Sequence, residues 1–225
     1  MAELLIFRHG PTIWNAEKRM QGRSDISLSE QGIETVQKWQ LPDEWMAVPW
    51  YVSPLQRAQE TAKLLGQEKL ETDPLLIEMS WGRWEGQRLP ELRKKLGPEM
   101  EKMEALGLDL CPPDGESPRD VQNRLKPFLY KVARSNQSAV AVAHKGVLRA
   151  LYAEATNWDM LGKPKEKIRD NCAHLFQISP TGIISVKAMN ISLLSSIDFF
   201  PRPIKQSEHS PLGHPPSDSP KENHS

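Results

Sequence analysis

The sequence predicts an α/β fold. Short apolar runs suited to buried strands alternate with helical stretches along most of the chain. Two of these runs, Leu4-Leu5-Ile6-Phe7 and Ala139-Val140-Ala141-Val142-Ala143, break off into Arg8-His9-Gly10 and His144-Lys145-Gly146. In an open α/β sheet, ligands bind outside the carboxyl ends of strands, and His9 and His144 each sit at such an end.

The first junction suits phosphate chemistry. Arg8 offers a planar fork of donors to phosphate oxygens. His9 is able to act as a nucleophile near neutral pH, where imidazole is largely unprotonated. Gly10 permits close approach of the backbone to a ligand. A lone Arg-His-Gly is equally a strand end and a turn, so the remaining elements have to decide.

After a polar connection over 15–25, Ser29 is placed as N-cap of a helix carrying Ile33, Val36 and Trp39, which Pro42 and Asp43 end or follow. Trp50-Tyr51-Val52 reads as a second strand. Ser53 and Pro54 are expected as N-cap and first residue of the next helix, which runs to about Gly66 and carries Arg57 in its first turn. By itself Arg57 reads as a solvated helix charge. Leu75-Leu76-Ile77 is a third apolar run, ending at Glu78 and leading into the loop Trp81-Gly82-Arg83-Trp84-Glu85-Gly86. The charged helical stretch over about 86–117 forms either a cap over the site or a plain helical excursion. Ser117, Pro118 and Asp120 match an N-cap, first position and capping-box acid, and Pro127 is expected to kink the helix that follows. Ala139–Ala143 is a fourth, fully buried strand, and the helix after His144 presents free amides to an anion. Residues 171–178 and 183–189 read as a hairpin at the sheet edge, with His174 structural or solvent-facing. The domain is thus expected over 1–194. From Ser195 to Ser225 the composition turns to Pro, Ser, Lys, Glu and His, the pattern of a disordered tail.

Composition narrows the classes further. Lys plus Arg and Asp plus Glu both number 29, which argues against general nucleic-acid or anionic-membrane binding. Cys111 and Cys172 lack metal or redox spacing, and the tail histidines are irregularly spaced, so no metal site is expected. No apolar stretch spans a bilayer and the N-terminus lacks signal-peptide character, which predicts a cytoplasmic protein.

Taken together and in order, Arg8-His9-Gly10 with Asn15, Arg57 within Ser53-Pro54-Leu55-Gln56-Arg57-Ala58-Gln59-Glu60-Thr61-Ala62, Glu78 before Gly82–Gly86, and His144 with Gly146 form a pattern that resembles the histidine phosphatase superfamily, in its cofactor-dependent phosphoglycerate mutase-like branch. The likeness covers about residues 3–190. It implies a three-layer α/β/α sandwich with a mostly parallel central sheet. It implies His9 as the nucleophile taking the phosphoryl group, Arg8, Arg57 and His144 as its holders, and Glu78 as proton donor to the leaving oxygen. Thr12, Asn15, Gln21 and Gly22 fall where the family contacts phosphoryl group or substrate. No cofactor or metal is implied, because arginines and histidines supply the charge. Two positions depart from the family pattern. Pro11 stands where Glu or Gln is common, removing a backbone donor and a side-chain contact. Lys145 replaces the first glycine after the second histidine, and either meets the leaving group or points to solvent.

The expected function is hydrolysis of a small phosphomonoester through a phosphohistidine. A bisphosphate-primed phosphoglycerate mutase is the alternative, disfavoured by the short stretch between Glu85 and Ser117. A non-catalytic phosphate-binding scaffold is a third reading. The sequence does not fix substrate or oligomeric state.

Overall fold

The structure is a computed structural model describing residues 1–194 and 200–204. Its centre is a six-stranded sheet. The strands are β1 (Ala2–Arg8), β2 (Trp50–Val52), β3 (Leu70–Thr72), β4 (Ala139–Ala143), β5 (Cys172–Ile178) and β6 (Ile184–Ser192). Their order across the sheet is β3-β2-β4-β1-β5-β6. The β3-β2, β2-β4 and β4-β1 pairs are parallel, and β5 and β6 close the other side antiparallel. The expected hairpin at the sheet edge is therefore present.

The helices are α1 (Ile13–Ala16), α2 (Glu30–Val36), α3 (Asp43–Met46), α4 (Gln56–Leu64), α5 (Leu89–Leu96), α6 (Pro98–Glu104), α7 (Pro118–Ser135) and α8 (Lys145–Thr156). Alternation along β1 explains the layers. Leu4 and Ile6 pack with Val121, Leu125 and Phe128 of α7 and Leu148 and Leu151 of α8. Leu5 and Phe7 face the other way, toward Val36, Trp39, Trp45, Ala58 and Ala62. Strands buried on both faces carry continuous apolar runs, as β1 and β4 do. A smaller cluster of Trp84, Leu92 and Met100 joins α5 and α6 to the loop before them.

Ser29 caps α2 by accepting from the Gly32 amide, and Ser117 with Asp120 closes a complete capping box on α7. Three expectations need correction. The third strand is not the apolar run at 75–77 but the polar segment Leu70–Thr72, while Pro74–Leu76 is a turn of 3-10 helix capped by Asp73. Ser53 does not cap α4. Its amide continues the sheet by donating to Val142, and Asp25 accepts from the Gln56 amide where the helix begins. Within the expected tail, residues 200–204 lie on the domain: Phe200 is buried against the Trp45 face, Trp45 Nε1 donates to the Pro201 carbonyl, and the Ile204 amide donates to Ser138. The rest of that tail lies outside the described residues. Among the described residues, no helix is long and apolar enough to cross a membrane.

Candidate active site

The site follows from the parallel half of the sheet. β1, β4 and β2 are neighbours, and the residues just past their carboxyl ends are His9, His144 and Ser53. The His9 amide still donates to Ala143, so its side chain is fixed by the last rung of the ladder. The His9 and His144 rings are 5.2 Å apart, centroid to centroid. Ser53, read from sequence as a helix cap, sets its hydroxyl 2.6 Å from His144 Nε2.

The His9 tautomer is set by its neighbour. Nδ1 lies 2.6 Å from the Gly10 carbonyl, which only accepts, so Nδ1 donates and Nε2 keeps its lone pair. Burial pushes the His9 pKa well down, and Arg8 and Arg57 push it further, against the Gly10 bond. His144 is pushed down by burial, then by His9 and Arg57. Both rings are therefore biased toward the neutral form.

Arg57 is wholly buried on the first turn of α4. One of its terminal nitrogens donates to Ser24 and the other to Gly22, each at 2.8 Å. Those two carbonyls belong to a loop held by Glu85, which accepts from the Arg23 and Ser24 amides and the Ser24 hydroxyl. Gly22 has φ +53, and a Cβ there would fall 2.0 Å from Glu85 Oε1. Arg8 donates to Asp170 at 2.8 Å, and Lys145 lies 3.8 Å from the same carboxylate.

Glu78 accepts from the Met79 amide at 2.8 Å and the Gly146 amide at 3.1 Å. Burial nevertheless raises its pKa, outweighing those bonds and the two arginines. A Cβ at position 146 would fall 2.4 Å from Glu78 Oε1, so any larger residue there would displace the carboxylate. Arg124 and Glu116 steady the approach to Glu78: Arg124 donates to the Leu75 and Ile77 carbonyls, and Glu116 accepts from the Ser80 amide.

Arg8, His9, Arg57 and Glu78 line a cavity of about 510 Å³, and His144 and Ser53 are buried behind them. The Nε atoms of Arg8 and Arg57 and Nδ1 of His144 are buried without a hydrogen-bond partner. Gln21 Oε1 is unpaired as well, but the two unpaired guanidinium Nε donors mark a place for an anion, since buried polar atoms are normally paired. Asn15, Gln21, Gly22 and Lys145 also line the cavity. Thr12 is placed differently: its hydroxyl and amide both donate to Asn15 Oδ1, so it fixes Asn15 rather than facing the cavity. Pro11 likewise turns inward to structure, its carbonyl accepting from the Ser29 amide at 3.1 Å. Among the described residues, no group of three or more His, Cys, Asp or Glu is placed to hold a metal.

Sequence reasoning missed Ser53, Glu85, Asp170 and Arg149 as contributors. Glu85 alone carried a signal, a carboxylate between two glycines in a loop that is neither helix nor strand. Asp170 and Arg149 meet the site only through the fold.

Residues 4–190 match the profile of the Histidine phosphatase superfamily (branch 1), and the chain belongs to that family. It is 32% identical over 188 residues to phosphoglycerate mutase-like protein 4 of Arabidopsis thaliana, covering 79% of this chain and 80% of that one. It is 33% identical over 174 residues to phosphoserine phosphatase 1 of Hydrogenobacter thermophilus, covering 71% and 79%. Among solved structures it is similar to a mycobacterial glucosyl-3-phosphoglycerate phosphatase in complex with inorganic phosphate, at TM-score 0.71 and 26% identity over 86% of this chain and 99% of that one.

Proposed function

We propose that this chain is a phosphatase that hydrolyses a small-molecule phosphomonoester through a phosphohistidine on His9. The observation that carries this reading is the pair of opposed proton states in one cavity: His9 is held neutral with Nε2 free, and burial keeps a proton on Glu78 to higher pH than usual. In the first step Nε2 attacks phosphorus, the N–P bond forms and the ester P–O bond breaks. Glu78 gives its proton to the departing oxygen, which an alkoxide leaving group needs. In the second step Glu78 takes a proton from water as that water attacks phosphorus, releasing phosphate and His9. Arg8 and Arg57 stabilise charge on the equatorial oxygens, and removal of one such donor typically lowers the rate by about a hundred- to a thousand-fold. His144 is a further donor to the phosphoryl group, steadied by Ser53.

The segment 86–117 acts as a cap, in keeping with Arg93 of α5 and Glu104 of α6 lining the same cavity. Free Cys111 and Cys172 fit a reducing, cytoplasmic setting.

The test is a panel of phosphomonoesters that includes 3-phosphoglycerate, with and without 2,3-bisphosphoglycerate, scored for free phosphate and for 2-phosphoglycerate. Free phosphate without isomerisation, lost in His9→Ala, is the expected result. Bisphosphate-dependent isomerisation faster than hydrolysis would make the chain a mutase instead.

A further inference from the structure

Arg8 has one partner for its guanidinium among the described residues. A terminal nitrogen donates to Asp170 at 2.8 Å, while Nε is buried without an acceptor. The guanidinium is planar, so fixing one terminal nitrogen limits where Nε points. Asp170 therefore decides how Arg8 faces the cavity. Lys145 reaches the same carboxylate oxygen only at 3.8 Å. Although burial opposes it, Arg8 and Lys145 hold the Asp170 carboxyl below its usual pKa. An anion thus stands beside the cation that is to meet the phosphoryl group.

Asp170 is held in its turn by the hairpin. Along β5 and β6 the register steps from Ala173–Ile191 to Leu175–Ala188, so β6 carries one extra residue opposite His174. That is a bulge, a device that re-aims side chains beside functional sites. Asn190 lies in it with φ +57, a left-handed conformation that asparagine tolerates better than most residues. The Asn190 amide donates to His174 Nδ1, and its side-chain oxygen accepts from the Arg169 amide at 2.9 Å. On the other side of Asp170, the Asn171 carbonyl accepts from the Leu193 amide at 3.0 Å. The residues before and after Asp170 are thus both tied to β6 and the chain at its end.

Building on the phosphatase reading, we infer that Asp170 is a positioning residue for Arg8, and that the Asn190 bulge sets Asp170 in place. The carboxylate acts on the reaction in two ways. It aims the guanidinium, so that Nε meets the oxygens on which charge is stabilised during phosphoryl transfer. It also sets a negative charge near the dianionic ester and the phosphate product, which loosens the hold on both. Better aim favours the transition state, and repulsion disfavours a tightly bound ground state, so both effects raise kcat. Asp170 is largely exposed, and an exposed ion pair adds little to stability, so this role shows in turnover and not in Tm.

Kinetics of the wild-type chain, Asp170→Ala, Asp170→Asn and Asn190→Gly on a hydrolysed ester test this, with each form also titrated with inorganic phosphate. Asp170→Ala is expected to lower kcat by about ten- to a hundred-fold, the range for a misplaced contact, with KM no higher than wild type. Asp170→Asn keeps an acceptor and loses the charge. It recovers most of that kcat and binds phosphate about three- to ten-fold tighter than wild type does. Asn190→Gly keeps the backbone conformation and loses the side-chain acceptor. It lowers kcat by less, and costs nothing further when combined with Asp170→Ala, as residues that act through one another do. An unchanged kcat in Asp170→Ala, no tighter phosphate binding in Asp170→Asn, or additive losses in the double variant overturn the inference. A Tm loss in Asp170→Ala that Asp170→Asn leaves unrepaired also overturns it, by making the role structural. Tighter phosphate binding in Asp170→Asn, with no ester hydrolysed by the wild-type chain, supports the Arg8–Asp170 assignment and removes the phosphatase reading; hydrolysis unaffected by Asp170→Ala does the reverse.

Discussion

In the proposed mechanism His9 and Glu78 need opposite proton states at the same pH, and desolvation pushes each in the required direction. Burial disfavours whichever form is charged, so it lowers an imidazole and raises a carboxyl. For an alkyl phosphate, kcat/KM should climb as pH rises through the depressed His9 value, below 6.5, and fall as pH passes the elevated Glu78 value, above 4.5. Glu78→Gln should abolish the falling limb. It should slow alkyl phosphates by about a hundred-fold or more, and activated aryl phosphates far less. Equal slowing of both, or a surviving alkaline limb, would remove Glu78 as the acid. At this scale most of the candidate site was legible, because Arg8, His9, Glu78 and His144 sit at strand or run ends that the apolar pattern marks. Ser53 was not. A serine before Pro54 looks like a cap, and only the pairing of β2 with β4 shows that its hydroxyl is spent on His144.

Loops between elements do the aiming. Arg57 is placed by α4 but pointed by the Gly22 and Ser24 carbonyls, and these stay put because Glu85 accepts from the same stretch. Glu85→Gln replaces an acceptor oxygen with an amide nitrogen that opposes those N–H groups. Its kcat is expected to fall by about ten- to a hundred-fold, the range for lost bonds to a charged group, with a far smaller change in Tm. An unchanged kcat would show that Arg57 keeps its aim without the loop. Elements were readable where burial writes a signal, as in β1 and β4, which are apolar throughout. β3 escaped because it is an edge strand with exposed Glu71 and Thr72, so it needs no apolar run. The run at 75–77 misled for the complementary reason: Leu76 alone of the three is buried, under a 3-10 turn that Asp73 and Pro74 start.

Among the described residues three histidines are buried, His9, His144 and His174, and all three have lowered pKa values. The unfolded chain therefore binds more protons than the native state below pH 6.5, and stability falls as the medium is acidified. His174 accepts from the Asn190 amide across the β5–β6 hairpin, and burial takes its pKa to about 4. Glu78 works in the opposite sense, its contribution being lost as pH rises through its elevated value. Tm should drop progressively from pH 6.5 toward 4, and His174→Asn, which keeps an acceptor without a titrating ring, should flatten that decline. An identical decline in the variant would place the acid sensitivity elsewhere. The global architecture was legible because strands alternating with helices admit few topologies. The domain edge was less so. Composition marks a change near residue 195, yet Phe200 is buried beside Trp45, and burial of one aromatic side chain contributes about 2 kcal/mol whatever the polarity of its neighbours.

The central claim is the phosphohistidine on His9. The most direct measurement is a rapid acid-free quench during turnover of an ester radiolabelled in its phosphoryl group, followed by peptide mapping of the chain. Label is expected on the peptide containing His9, stable to alkali and lost in acid, absent from His9→Ala, and formed as fast as the alcohol is released. Turnover with no label on the chain, or with label on another residue, would contradict it.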